Sequence, residues 1–182
     1  MLHHTLICRY HINAKNYLFS SPEHLHLRMQ INWLLKKFTE LTPYELYDAL
    51  QLRNEVFVVE QNCVFQDADD KDQNSYHLFG YHQNKLVAYT RLVPPGISYN
   101  EASIGRVVTS HTVRGTGAGK KLMQQSIDYT YQLFGVHPIK IGAQLYLKKF
   151  YEGFGFVQVG DSYLEDGIPH IYMLKQPSNS TK

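Results

Sequence analysis

The run Arg114-Gly-Thr-Gly-Ala-Gly119 constrains this chain more than any other stretch. It follows residues 104–109, a short segment rich in β-branched side chains that predicts a strand. It opens Ala118–Phe134, where Leu122, Met123, Ile127 and Tyr131 fall near helical spacing. Glycines in such a place let the backbone approach a ligand closely and adopt positive φ. The free N–H groups and the dipole at the start of the helix then suit a pyrophosphate. Arg114 adds a fixed positive charge, and Lys120 and Lys121 add two more nearby. An ordinary turn needs one glycine, not three with an arginine in front. A Walker A loop needs G-x-x-x-x-G-K-[ST], which glycines at 115, 117 and 119 do not supply. A Rossmann G-x-G-x-x-G fails because position 120 is Lys. What fits is R-x-x-G-x-G, from Arg114, Gly117 and Gly119.

The rest of the chain alternates strand and helix signals, which argues for an α/β fold. Residues 31–38 predict a first strand. Thr42-Pro-Tyr-Glu45 is a capping box with Pro43 at the first helical position, and the helix behind it carries Leu46, Leu50 and Leu52. Residues 76–82 and 86–94 predict a hairpin around Gln83-Asn84-Lys85. After the long helix come a strand over 138–143 and a short helix over 145–153, ended by glycine. Two closing strands follow, over 156–159 and 170–174, with a loop through Asp166-Gly167. At 182 residues this is one domain, spanning 29–182, with no internal repeat.

Composition excludes several classes. Cys8 and Cys63 form no framework, so the simple expectation is a reducing, cytoplasmic setting without disulfides. No apolar run approaches the ~20 residues that span a bilayer. The formal charge of +2 lies within residues 1–28, which leaves the remainder neutral and without a nucleic-acid face. Those 28 residues hold five of the ten histidines and no secretory pattern. They are expected to be a disordered extension, or the product of a start placed upstream of Met29.

The glycine loop resembles the acetyl-CoA pyrophosphate loop of the GNAT acetyltransferases. Gly142-Ala-Gln-Leu-Tyr-Leu-Lys-Lys-Phe-Tyr151-Glu-Gly-Phe-Gly-Phe156 looks like the second half of the GNAT core. More specific are Leu52-Arg53, then Val56-Phe57-Val58-Val59-Glu60-Gln61-Asn62-Cys63, and Glu165-Asp-Gly-Ile-Pro-His170. Together they resemble the ElaA family, a bacterial branch of the GNATs, over residues 31–175. The resemblance implies a mixed, twisted sheet of six or seven strands with helices on both faces. It places acetyl-CoA in a cleft where the fourth and fifth strands splay. The cofactor contacts it implies are Val107, Val108, Arg114, Gly115, Thr116, Gly117, Ala118, Gly119, Lys120 and Gln144. No metal is implied. The partner is a small-molecule or peptide amine, and the chain could pair as a homodimer.

Acetyl transfer to an amine needs a proton acceptor, a donor to the tetrahedral oxyanion and an acid for the leaving thiolate. By resemblance Tyr151 is the acid, although Leu147, Phe150 and Phe154 also make its helix a core face. A backbone N–H of Val107 or Val108 is the oxyanion donor, on a strand that would hold the pantetheine arm by its main chain. The base is open among Glu60, His77, Glu101 and His170, with His170 in the useful titration range of imidazole. Arg106 either pairs with a carboxylate such as Glu60 or Asp67 or meets an acidic substrate. Asp67, Asp69, Asp70 and Asp72 read as a solvated acidic loop, with attraction of a cationic amine as the alternative. Two rival functions fit the same core: an acyl-homoserine-lactone synthase and a non-catalytic acyl-CoA sensor. The glycine loop favours coenzyme A over an acyl carrier protein, and a Cys63 hydrolase lacks a readable base.

Overall fold

The computed structural model describes residues 30–177. The extension expected over 1–28 lies outside the described residues. The elements in order are β1 (Asn32–Lys37), α1 (Pro43–Arg53), β2 (Tyr76–His82), β3 (Lys85–Val93), β4 (Ser103–Thr109), α2 (Ala118–Phe134), β5 (Ile139–Gln144), α3 (Lys148–Glu152), β6 (Phe156–Glu165) and β7 (Ile168–Lys175). A π-helical segment, Asn54–Glu60, prolongs α1 toward the site.

Local chemistry explains most boundaries. The Thr42 hydroxyl accepts from the Glu45 N–H, and the Glu45 carboxylate accepts from the Thr42 N–H at 2.8 Å, so both ends of the capping box close. The β2–β3 turn takes φ of 49° at Gln83 and 61° at Asn84, and the β6–β7 turn takes 50° at Asp166 and 80° at Gly167. Two left-handed residues in succession give the turn whose twist matches a hairpin. That second turn is tight enough to extend β6 to Glu165, well past the 156–159 read from sequence. The pairing with β7 shifts register between Val159 and Tyr163, where Gly160-Asp161-Ser162 otherwise resembles a loop. The helix expected over 145–153 is instead a 3₁₀ turn, Leu145–Leu147, followed by the five residues of α3.

The seven strands form two antiparallel sheets, β1-β2-β3-β4 and β5-β7-β6. They meet at one parallel bridge, Ala102 to Ile139, where the Lys140 N–H donates to the Ala102 carbonyl at 3.0 Å. Beyond that seam the fourth and fifth strands part as expected, and the mixed arrangement, antiparallel but for the seam, opens there.

Strand alternation sorts the helices to opposite faces. Phe79, Tyr89 and Val108 pack with Ala49, Leu52 and Val56 on the α1 side. Their neighbours Leu78 and Ala88 pack with Leu122 on the α2 side. Under the second sheet, Ile139, Ile141, Ile171 and Met173 join Met123 and Ile127 of α2 and Tyr151 of α3. Each fully buried aliphatic of this kind contributes about 1.5–3 kcal/mol, and α2, which serves both sheets, ties them together.

Candidate active site

Where β4 and β5 part lies a cavity of about 490 Å³. Val107 and Val108 border it from β4, Arg114 and Gly119 from the glycine loop, and Gln144 from β5. Tyr151 of α3 and His170 of β7 complete this set. Gly115, Thr116, Gly117, Ala118 and Lys120 stand beside the cavity without lining it.

The strand that borders it is bulged. The ladder between β3 and β4 pairs Tyr89 with Val108 and Arg91 with Gly105, so Thr90 faces two residues, Arg106 and Val107. Arg106 has φ of +53°, a left-handed conformation that costs a residue with a Cβ about 1–3 kcal/mol. The extra residue brings the side chains of Ile104 and Val107 onto the same face, toward the α2 side, although they are three apart. Past the seam with β5, the other edge of β4 faces the cleft, so main-chain groups there can meet a ligand.

The glycine loop ends at the N-terminus of α2, which has no side-chain cap. The first-turn N–H groups of a helix have no intrahelical acceptors, so an anion is their natural partner. Gly117 has φ of +88°, and a Cβ there would stand in open space. Ala118 is buried among Ile31, Val87 and Val113, which leaves only its main chain for a ligand. The Thr116 hydroxyl donates to the Val113 carbonyl at 2.7 Å and braces the loop from within. Arg114 is engaged: its guanidinium donates to both oxygens of Glu60, at 2.5 and 2.8 Å. That pairing lowers the Glu60 carboxyl below its ordinary range.

Tyr151 is buried, and its ring packs edge-on against Phe150 and Phe156. Burial, with Tyr146 nearby, pushes its phenol well above the usual range, so it is held protonated. Core packing and a place on the cleft are therefore both true of Tyr151.

The four candidate bases separate cleanly. His77 is buried away from the cleft, and desolvation lowers its pKa. Its Nε2 lies 3.0 Å from the Asp72 carbonyl and its Nδ1 2.7 Å from the Tyr89 hydroxyl. A carbonyl only accepts, so Nε2 carries the proton and Nδ1 is taken by the tyrosine, leaving no free lone pair. Glu101 does not border the cavity; Glu60 does, with its carboxylate paired to Arg114 in this structure. His170 borders it too. Its Nδ1 donates to the Ile168 carbonyl at 2.8 Å, which leaves Nε2 as the ring nitrogen free to meet a ligand. On its own sheet it pairs with Gln144 and Tyr163, so two strands hold it.

The acidic run is not a solvated loop. Asp67 and Asp72 are buried, and Asp69 is largely covered. Arg53 of α1 reaches Asp67 at 2.6 Å and Asp72 at 2.9 Å. Arg91 of β3 reaches Asp69 at 2.5 Å and Asp72 at 2.8 Å. Arg106 reaches Asp67 at 2.6 Å, one of the carboxylate pairings expected of it, and also borders the cavity. Burial alone raises the Asp69 and Asp72 carboxyls, but the guanidiniums outweigh it and both end lowered. Only Asp70 of the run follows the loop reading, exposed with φ of +59°. Residue type offered one of these pairs, Arg106 with Asp67, as an alternative, but not the convergence of Arg53, Arg91 and Arg106. It also missed Gln61, whose amide pairs with that of Gln144 across the cleft at 3.0 Å.

The acetyltransferase (GNAT) domain family matches residues 45–177. Protein ElaA of Escherichia coli is 40% identical over 148 residues, covering 80% of this chain and 97% of that one. Its crystal structure superposes with a TM-score of 0.76 over 81% of this chain and 100% of that one. An acyl-CoA N-acyltransferase from Pseudomonas aeruginosa superposes with a TM-score of 0.77 at 41% identity, over 80% of this chain and 99% of that one. A UPF0039 protein of Synechocystis is 44% identical over 147 residues, 80% of this chain and 96% of that one. Among the described residues no helix is long and apolar enough to cross a membrane, and no group of three or more His, Cys, Asp or Glu is arranged to hold a metal ion.

Proposed function

Because this chain belongs to the GNAT acetyltransferase family, in its ElaA branch, we propose that it moves an acetyl group from acetyl-CoA to an amine of a small molecule or peptide. Membership makes it a transferase that draws an acyl group from coenzyme A. The acetyl group, the amine and a cytoplasmic setting are the finer parts of the proposal. One observation carries it: the bulged edge of β4, the uncapped start of α2, Tyr151 and His170 surround a single cavity.

Each part has a use in the reaction. The left-handed loop and the first turn of α2 hold the pyrophosphate, with Arg114 exchanging Glu60 for a phosphate oxygen. The pantetheine arm lies along the open edge of β4 in the manner of an added strand. The acceptor ammonium gives a proton to His170 Nε2, and its nitrogen attacks the thioester carbon. The carbonyl oxygen, now an oxyanion, accepts from the N–H of Val107 or Val108. When the tetrahedral intermediate collapses, the C–S bond breaks and the sulfur takes the Tyr151 proton, while the second proton of the attacking nitrogen passes to the phenolate so formed, leaving a neutral amide, the free thiol of CoA and a protonated Tyr151. Burial makes Tyr151 a reluctant acid, but the same desolvation raises the proton affinity of a thiolate leaving beside it.

The test is thiol release from acetyl-CoA across a library of amines, with longer acyl-CoA esters and buffer alone as comparisons. Amine-dependent release of coenzyme A is expected. A folded protein whose thermal unfolding shifts with neither acetyl-CoA nor CoA, and which releases no thiol, would end this reading. Binding with no release under any amine would favour a sensor.

A further inference from the structure

A left-handed arginine in a strand calls for an explanation, because glycine would take that backbone freely. At Arg106 the explanation lies in where the side chain goes. Its Nε forms an ion pair with Asp67 Oδ1 at 2.6 Å without the alignment of a hydrogen bond, and its Nη2 donates to the Asp67 carbonyl at 3.1 Å. The guanidinium also lies over the Phe65 ring, 5.8 Å from its centroid, with Asp69 at 3.4 Å. Asp67 is held from the far side by Arg53, which donates to Oδ2 at 2.6 Å and to the carbonyl at 3.0 Å. Arg53 is almost wholly buried, and it also grips Asp72, which Arg91 grips in turn. Three arginines and three aspartates thus link α1, the acidic loop, β3 and the bulge in one continuous ring of charge.

Besides the Thr90 hydroxyl, which donates to the Gly105 carbonyl at 3.1 Å, the bulge has little to define it. Neither Arg106 nor Val107 has a ladder partner on β3, and the far edge of β4 faces the cleft. A strand register can absorb one extra residue at several positions, and nothing in Val or Thr marks one of them. The Arg106–Asp67 pair marks this one.

We propose that Arg106 is a positioning residue for acyl transfer: its pairing with Asp67 clamps the β4 bulge, so that the acidic loop sets the backbone amides offered to the thioester carbonyl. This rests on the acyltransfer reading above. Arg106 borders the cavity, but its guanidinium is turned to Asp67 and Asp69, so its part in the reaction runs through the backbone it holds. Because the loop that holds it begins at the cleft, with Cys63 and Phe65 among the lining residues, acceptor-side structure and amide geometry are one mechanical unit.

The experiment compares Arg106→Gly, Arg106→Ala and Arg106→Lys with the parent. Glycine relaxes the left-handed backbone while removing the clamp; alanine removes the clamp and keeps the strain. Thermal unfolding, CoA affinity by calorimetry, kcat and KM for acetyl-CoA, and amide hydrogen exchange over residues 103–109 are measured on each. Arg106→Gly should stay folded and bind CoA within about twofold, yet lose kcat by about 10- to 100-fold, the range that misplacement by about an ångström produces. Its exchange over 103–109 should rise, and Arg106→Lys should recover part of both losses by pairing with Asp67. Arg106→Gly with parental kcat and parental exchange would overturn the proposal, since the bulge would then hold itself. If the parent released no thiol with any amine, the function would fail independently; the exchange data would still decide whether the clamp sets the bulge.

Discussion

Replacing Gly119 by alanine separates a phosphate cradle from an ordinary helix start, because the structure makes opposite demands in the two cases. Gly119 sits in the first turn of α2, its φ is not left-handed, and an added Cβ would lie 3.9 Å from Thr109 Cγ2, an ordinary contact. The free protein therefore accepts the methyl without strain. Loss of unfolded-state freedom should stabilise it by about 0.4–1 kcal/mol. For a domain of this size that is a rise of roughly 1–4 °C in unfolding temperature. In a CoA complex the same methyl projects into the cavity that Gly119 lines, against the phosphates the first-turn N–H groups would bind. Loss of one charge-assisted hydrogen bond, about 1.5–3 kcal/mol, corresponds to a roughly 10- to 150-fold weaker affinity. Calorimetry with CoA and acetyl-pantetheine reads this directly, and the fragment without pyrophosphate should be unaffected. Gly117→Ala is the companion variant: φ of +88° opposes any Cβ, so it should lose about 1–2 kcal/mol of stability as well as CoA affinity. A Gly119→Ala protein that is stabilised and binds CoA like the parent would refute the cradle. Equal weakening of CoA and the fragment would indicate distortion of the site instead.

Other outcomes follow from the same geometry. Tyr151→Phe should lower kcat by about 10²–10⁴-fold and leave CoA affinity intact; parental turnover would assign Tyr151 to packing alone. Asp72→Asn leaves the buried Arg53 and Arg91 short of a counter-charge and should cost about 3–5 kcal/mol in urea unfolding at pH 7. Because the folded-state pKa values of Asp69 and Asp72 are depressed, their stabilisation is present above the ordinary aspartate range near pH 4 and is lost as pH falls through the lower folded values. The gap between Asp72→Asn and the parent should thus narrow in acid, and a gap independent of pH would contradict the ionic account. Glu60→Gln frees Arg114 from an exposed pair worth up to about 1 kcal/mol, so CoA affinity should rise by no more than about fivefold. A fall in affinity would mean that Glu60 presents Arg114 to the phosphate.

Features that close within a few residues were legible in the sequence. The Thr42–Glu45 capping box, the Gln83-Asn84 turn, the glycine loop and the span of α2 all depend on hydrogen bonds and backbone preferences over three or four positions. The chain encodes those directly. The GNAT resemblance rested on the same local patterns, and with it came a sheet of six or seven strands and the splay between the fourth and fifth. The long β6 and the bulge at Arg106 depend on which strand lies alongside, and residue type is nearly silent about that. The acidic run shows the limit most clearly. Asp67, Asp69 and Asp72 looked solvated because their arginines come from positions 53, 91 and 106, up to 39 residues away. A carboxylate beside water and one beside a guanidinium are spelled alike; only the approach of α1, β3 and β4 to the loop made these three counter-ions in a buried ring.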